Sequence, residues 1–228
     1  MRILAIDTAC GACSAAVFDG ASRASLGLRS EAMAHGHAEA LAPMVEAIMG
    51  ELEGGFASLG AIAVTVGPGS FTGIRVGLAM ARAMGLTLGI PVVGVSTLVA
   101  FAAPLLDDPQ PGVIVSAIDA KHGSVYFQAF EPTGRPLFGP RVASFRDAAR
   151  AIGIGPARVA GDGAKLFAQE AQRAGIAAEP LGDPFPDIVA VARIGLAADA
   201  QDWPARPIYV KPPNAKPSGA DAIARTEG

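Results

Sequence analysis

One pattern occurs twice in this chain: an apolar strand ending in Ile-Asp, a short turn with Gly, and an apolar return strand. A chain built from two copies of one unit has few folds open to it. The first copy runs from Arg2 to Gly20, with Ile6-Asp7 at the strand end and Gly11 in the turn. The second runs from Gly112 to Phe130, with Ile118-Asp119 and Gly123. In both, Gly follows Asp by four residues in the same strand–turn–strand context, which reads as an internal duplication. Between the copies, Asp107-Asp108-Pro109-Gln110-Pro111-Gly112 turns to acid and proline and is the natural linker. The 228 residues suffice for two units of about 100 residues each.

The first half reads β-β-β-α-β-α-β-α. Strands are expected at 2–8, 13–18, about 23–29, 61–66 and 91–95. Helices are expected at 37–52, at about 72–88 and after Ser96, which is placed to cap its helix. Pro43 falls inside the first helix. The second half adds helices near 145–151, after Gly163 and at about 187–200, with a strand near Val159. The expected domains are 1–106 and 107–211, with the last helix free to pack back on the first domain. The proline-rich tail 212–228 is expected to be disordered.

Composition narrows the functions open to such a chain. Hydrophobic residues make up 51% and aromatics only 6%, so the core is mostly Ala, Val, Leu and Ile. Net charge is −3, and neither half is basic: residues 1–105 carry 5 basic and 7 acidic residues, the remainder 13 and 14. Phosphate neutralisation dominates affinity for nucleic acid, so tight RNA or DNA binding by this chain alone is disfavoured. The start is interrupted too soon by Asp7 for a signal peptide, and the uncharged run 90–106 is broken by Pro91, Gly94 and Pro104. A cytoplasmic location without a membrane partner is expected. Cys10 and Cys13 form a C-x-x-C, but in a hairpin turn, with only His35 and His37 nearby. Two small buried thiols are expected there, with no metal or redox role.

The two Asp-bearing turns have two readings. In a cleft between paired domains, turn amides would cradle phosphates while Asp7 (with Thr8) and Asp119 oriented a Mg²⁺-bound water. Alternatively, each Asp closes its own turn. The loop Gly67-Pro68-Gly69-Ser70-Phe71-Thr72-Gly73 is more specific. Its glycines allow positive φ and close backbone approach, and free amides at the helix start suit an anion. No Gly-Lys-Ser/Thr follows, so it is not a P-loop. The other reading is a tight strand-to-helix connection whose glycines serve packing. On the following helix, Gly77, Ala81 and Gly85 form a small-residue groove, and Val76, Met80 and Met84 an apolar stripe. A helix apolar around most of its circumference is covered on more than one face, by helix 37–52, by a partner chain, or by both. Asp162 is read as a helix cap, and His35 and His37 as exposed polar residues. No catalytic triad can be read from the spacing.

The stretch Val64-Thr65-Val66-Gly67-Pro68-Gly69-Ser70-Phe71-Thr72-Gly73-Ile74-Arg75-Val76-Gly77-Leu78, followed by Gly89-Ile90-Pro91-Val92-Val93-Gly94-Val95-Ser96, closely resembles the bacterial TsaB family. So do Ile3-Leu4-Ala5-Ile6-Asp7-Thr8, His37-Ala38-Glu39, Ile118-Asp119-Ala120 before Val125-Tyr126, and Pro207-Ile208-Tyr209-Val210-Lys211, where Lys211 replaces the usual Arg. The resemblance implies an α/β fold of two ribonuclease-H-like (actin/Hsp70/sugar-kinase-like) domains, each a mixed sheet flanked by helices. It implies a non-catalytic subunit for threonylcarbamoyl transfer to adenosine 37 of ANN-decoding tRNAs. The partner would be the transferase TsaD, a paralogue, with the ATPase TsaE joining the pair and tRNA reached only through the complex. The family dimerises through its first two helices, here 37–52 and 72–88. The expected contacts are Leu41, Val45, Ile48, Val76, Gly77, Met80, Ala81 and Met84, and a homodimer would use the same surface.

The resemblance also implies a loss of activity. Thr97, Val99 and Phe101 stand where the catalytic paralogue carries two His around a Glu, and none is a good transition-metal ligand. The phosphate turns look degenerate, so a nucleotide site at Asp7, Thr8, Gly67, Gly69 and Asp119 would be vestigial, and no cofactor, catalytic residue or metal ligand is expected. The other readings are an independent ATP-dependent phosphotransferase of the same fold and a metal-dependent protease.

Overall fold

Ile3-Leu4-Ala5-Ile6 is apolar on both alternations, which suits a strand covered on both faces. In the computed structural model, which describes residues 1–108 and 110–210, it is the centre of a sheet. β1 (Arg2–Asp7) pairs antiparallel with β2 (Ala12–Asp19), which pairs with β3 (Ala24–Ala32). After α1 (His37–Gly50) and a 3₁₀ turn at Gly55–Ser58, β4 (Leu59–Thr65) lies parallel to β1. Then α2 (Phe71–Leu88) leads to β5 (Val92–Val95), parallel to β4. The strand order is β3-β2-β1-β4-β5.

After α3 (Thr97–Leu106), β6 (Val113–Asp119), β7 (Ser124–Phe130) and β8 (Arg141–Ser144) form an antiparallel set. α4 (Phe145–Ala151), β9 (Ala157–Ala160), α5 (Ala164–Arg173), β10 (Ala178–Leu181) and α6 (Ile188–Ala197) complete the described elements. The order β10-β9-β6-β7-β8 is the first order read backwards, with β6 in the place of β1. The duplication expected from the two Ile-Asp turns is therefore a duplication of topology. Each half holds a ribonuclease-H-like mixed sheet flanked by helices.

α1 and α2 cover one face of the first sheet through Leu41, Val45, Ile48, Ile74 and Leu78. α4 and α5 cover the second through Phe145 and Phe167 on Phe127. The remaining two helices are exchanged. α3, reached from β5, lays Leu98 and Phe101 on Ile118 and Ala160 of the second sheet. α6, from the other half, lays Ile188, Val191 and Ala192 on Ile3, Ala5 and Ala63 of the first. Gly195 permits this, because a Cβ there would overlap Ala63. Among the described residues no helix is long and apolar enough to cross a membrane.

Beyond α6 the chain returns as a strap along β5. Gly94 N–H donates to the Trp203 carbonyl at 2.8 Å, and Ile208 N–H to that of Val66 at 2.8 Å. Arg82 Nε donates to the Ala205 carbonyl at 2.9 Å. Strands β8 and β10 were not expected; each has four residues, and β10 contains Pro180. The tail 212–228 and Lys211 lie outside the described residues, as does Pro109 of the linker.

Candidate functional site: a closed turn and an open helix face

The glycine loop is pressed onto the first Asp-bearing turn. Ser70 caps α2 by accepting from Gly73 N–H at 3.2 Å, and its own N–H donates to the Ala9 carbonyl at 2.7 Å. Thr8 Oγ1 donates to the Gly73 carbonyl at 2.7 Å. A Cβ at Gly69 would overlap the Ala9 carbonyl, one at Gly73 the Thr8 carbonyl, and one at Gly77 would lie 2.6 Å from Thr8 Oγ1. Gly67 has φ +97°, and a Cβ there would meet Ile74. The glycines therefore let helix and turn touch backbone to backbone, which is the packing reading of the loop.

Asp7 and Thr8 are 0% and 1% exposed. Asp7 Oδ1 accepts from Thr65 Oγ1 at 2.5 Å and from Ala9 N–H at 3.1 Å, while Oδ2 is buried with no partner among the described residues. Burial raises the Asp7 carboxyl to about 6, against the opposing pull of Thr65, Ala9 and His37. His37 is itself buried, with Nε2 3.2 Å from the Cys10 carbonyl, so the expectation of an exposed residue is corrected. A histidine at a helix start carries no sequence signal that a turn 27 residues away needs a partner.

The second turn is more open. Asp119 receives Lys121 Nζ at 3.0 Å and the Lys121 N–H at 2.8 Å. Asp162 accepts from Asp119 N–H at 2.8 Å, and burial raises its carboxyl. The residue capping α5 is Gly163, without a side-chain bond, so Asp162 braces the neighbouring strand end instead of capping the helix. Ser96 likewise makes no cap bond, and its hydroxyl is buried without a partner among the described residues. Cys10 sits between the two turns, 8% exposed and packed with Leu98, Phe101, Ile118 and Ala160. Burial and Asp7 push its thiol well above the ordinary range, and both cysteines are free. In the first turn Asp7, Thr8 and the Ala9 amide are all bonded within the protein, so these three groups are not offered to a phosphate. No group of three or more His, Cys, Asp or Glu converges among the described residues.

Thr65→Val tests this closed arrangement. It leaves Asp7 Oδ1 without its hydroxyl donor and is expected to lower stability by about 2 kcal/mol, measured by urea unfolding. Unchanged stability would mean that the buried bond contributes nothing.

The helix face reads differently from its sequence. Leu41, Val45, Ile48 and Ala81 are at most 2% exposed and belong to the chain's own core. Gly77 faces Thr8 and Val64, and Gly85 faces Val92, so the small-residue groove receives the chain's own sheet and not a second backbone. The outward stripe is the neighbouring one: half-buried Val76, Met80 and Met84 beside exposed Ala79, Ala83 and Leu86, the last 87% exposed. Thr97 and Phe101 are buried on α3, beside half-buried Val99.

The protein family described as TsaD, tRNA N6-adenosine threonylcarbamoyltransferase, matches residues 21–190. The chain is 35% identical over 226 residues to an uncharacterised protein of Mycobacterium leprae, covering 96% of this chain and 57% of that one. It is 37% identical over 132 residues to the tRNA threonylcarbamoyladenosine biosynthesis protein TsaB of Escherichia coli, covering 58% and 55%. The matches thus span little more than half the length of these two relatives. An uncharacterised protein of Mycobacterium tuberculosis is 36% identical over 220 residues and 94% of each chain. The structure of YeaZ from Pseudomonas aeruginosa superposes with a TM-score of 0.73 at 26% identity, over 91% of this chain and 99% of that one. The chain therefore belongs to the TsaD family, among its TsaB members.

Proposed function

We propose that this chain is a non-catalytic scaffold subunit for threonylcarbamoyl transfer to adenosine 37 of ANN-decoding tRNAs, and that it binds a TsaD protein through the outer face of α1 and α2. The observation that carries the reading is the outward stripe of α2. Exposed Ala79, Ala83 and Leu86, beside Val76, Met80 and Met84 that are half-buried against the core, leave one side of a long helix apolar and partly open. Contiguous exposed apolar surface of this kind marks a docking site. The E. coli relative named for threonylcarbamoyladenosine biosynthesis supports the pathway. Thr97, Val99 and Phe101, in the place of metal ligands, support a subunit without its own transfer chemistry. In this reading TsaE joins the pair, tRNA is reached through the assembly, and the isolated chain pairs through the same face. The inward bonding of Asp7, Thr8 and the Ala9 amide argues against the phosphotransferase reading.

Ala83→Asp places a charge in the middle of the stripe at an exposed position, clear of the core-packed Met80. The expected result is loss of co-purification with TsaD, and of threonylcarbamoyl transfer in a reconstituted mixture, at a melting temperature within about 2 °C of the parent. An Ala83→Asp chain that still forms the complex would sink the assignment.

A further inference from the structure

We propose that Phe71, Arg75 and Tyr209 form a preorganised anchor, at the N-terminal end of the α2 face, that takes an acidic segment of the protein partner. The proposal rests on the docking of α1 and α2 described above and adds to it a second element, the C-terminal strap.

Phe71 and Tyr209 lie 138 positions apart, yet their ring centroids are 5.8 Å apart with planes at 36°. The Arg75 guanidinium lies over the Phe71 ring, 3.6 Å from its centroid. Two bonds hold the strap just ahead of Tyr209. Ile208, its neighbour, is bonded to the Val66 carbonyl, and the Ala205 carbonyl is held by Arg82. Even so, Phe71 is 48% and Tyr209 49% exposed. A clasp serving only to pin the strap would bury its rings. Here each ring is held in place with about half its surface facing outward.

The charges of α2 have one sign, while the strap carries both, with Asp199 and Asp202 ahead of Arg206. α2 carries Arg75 and Arg82 and no acid, and the strap adds exposed Arg206. Among the described residues none of the three forms an ion pair. A guanidinium over a ring still has N–H groups to offer a carboxylate, which Arg favours in bidentate geometry. Rigid aromatic and Arg side chains gathered beside an apolar stripe are the composition of interface residues that carry most of the binding energy. Aromatics with Arg also suit stacked bases of single-stranded RNA. The adjoining Ala79, Met80, Ala83 and Leu86 favour protein, since they offer a phosphate backbone nothing.

The full-length chain and its variants are titrated with purified TsaD from the same source, at low and high salt. Phe71→Ala and Tyr209→Ala are each expected to weaken binding about 10- to 100-fold, while Tyr209→Phe stays near the parent. Arg75→Gln should weaken binding and flatten its salt dependence. Melting curves show which variants are folded, and if Phe71→Ala is not, Tyr209→Ala decides. Alanine variants that bind TsaD within about twofold of the parent overturn the anchor but leave the α1–α2 docking standing. Variants that bind TsaD normally but lose cross-linking to tRNA overturn it in favour of RNA. A parent chain that does not bind TsaD at all refutes the docking itself, and the anchor with it.

Discussion

Gly73→Ala is expected to lower the melting temperature by about 10 °C, although alanine is the better helix former by about 1 kcal/mol. The sign is decided by what surrounds the position. A Cβ on Gly73 would overlap the Thr8 carbonyl oxygen, which is backbone and cannot swing away. Thr8 is itself tied to α2 by its hydroxyl bond to the Gly73 carbonyl, and Ser70 ties the helix start to Ala9. Helix and turn must separate, which breaks both bonds together. A cost of about 3 kcal/mol or more follows, among the larger values for a single substitution. Gly50→Ala is the control. Gly50 is the last residue of α1, and a Cβ there meets nothing within 4 Å, so propensity acts alone and a gain of a few tenths of a kcal/mol is expected. Calorimetric melting of both variants settles the matter, and a Gly73→Ala protein melting within about 2 °C of the parent would show that the contact relaxes.

Asp7→Asn is expected to stabilise the chain at neutral pH and to leave it nearly unchanged in acid. The Asp7 carboxyl is raised from 3.8 to about 6 by burial. Between those values the unfolded chain releases a proton that the folded chain keeps. The group's contribution is therefore fully present below about pH 4 and lost as pH rises through about 6; above that the deficit is constant. The gap corresponds to about 3 kcal/mol at most. Asparagine retains an Oδ1 acceptor for Thr65 and Ala9 and carries no charge to desolvate. Its amide inherits the position of the unpartnered Oδ2, so the net gain falls short of that figure. Urea unfolding at pH 4.5 and 7.5 reads the effect directly. If parent and variant show the same pH dependence, Asp7 is not the titrating group.

The large features were legible because each had a local physical signature. Ile6-Asp7 and Ile118-Asp119 announced strand ends, and the glycine loop from Gly67 to Gly73 announced a strand-to-helix connection. Helices with regular apolar spacing fell where expected, as at His37–Gly50 and Phe71–Leu88. The failures were of direction and partner. Val76, Met80 and Met84 and the row Gly77, Ala81, Gly85 are equally apolar, and periodicity alone does not say which row meets the sheet. The sheet took the row of smaller residues because Thr8, Val64 and Val92 come closest there. Strands β8 and β10 are four-residue edges whose pairing is set by β7 and β9, not by their own pattern. The bond from His37 to Cys10 and the meeting of Phe71 with Tyr209 join distant stretches, and neither has a local cue.

The exchanged helices bear on how this molecule can move. Proteins that grip a nucleotide between two lobes work as jaws, with a hinge that opens and shuts. Here α3 departs from the first sheet to roof the second, and α6 departs from the second half to roof the first. Swinging the halves apart would peel both roofs and expose Ile3, Ala5, Ile118 and Ala160 to water at once. The two crossings act as diagonal struts, so the halves cannot part along the line that divides the sequence, and what they brace is a frame of sheets with their adopted roofs. It can hold a surface still, and the still surface it holds is the α1–α2 face.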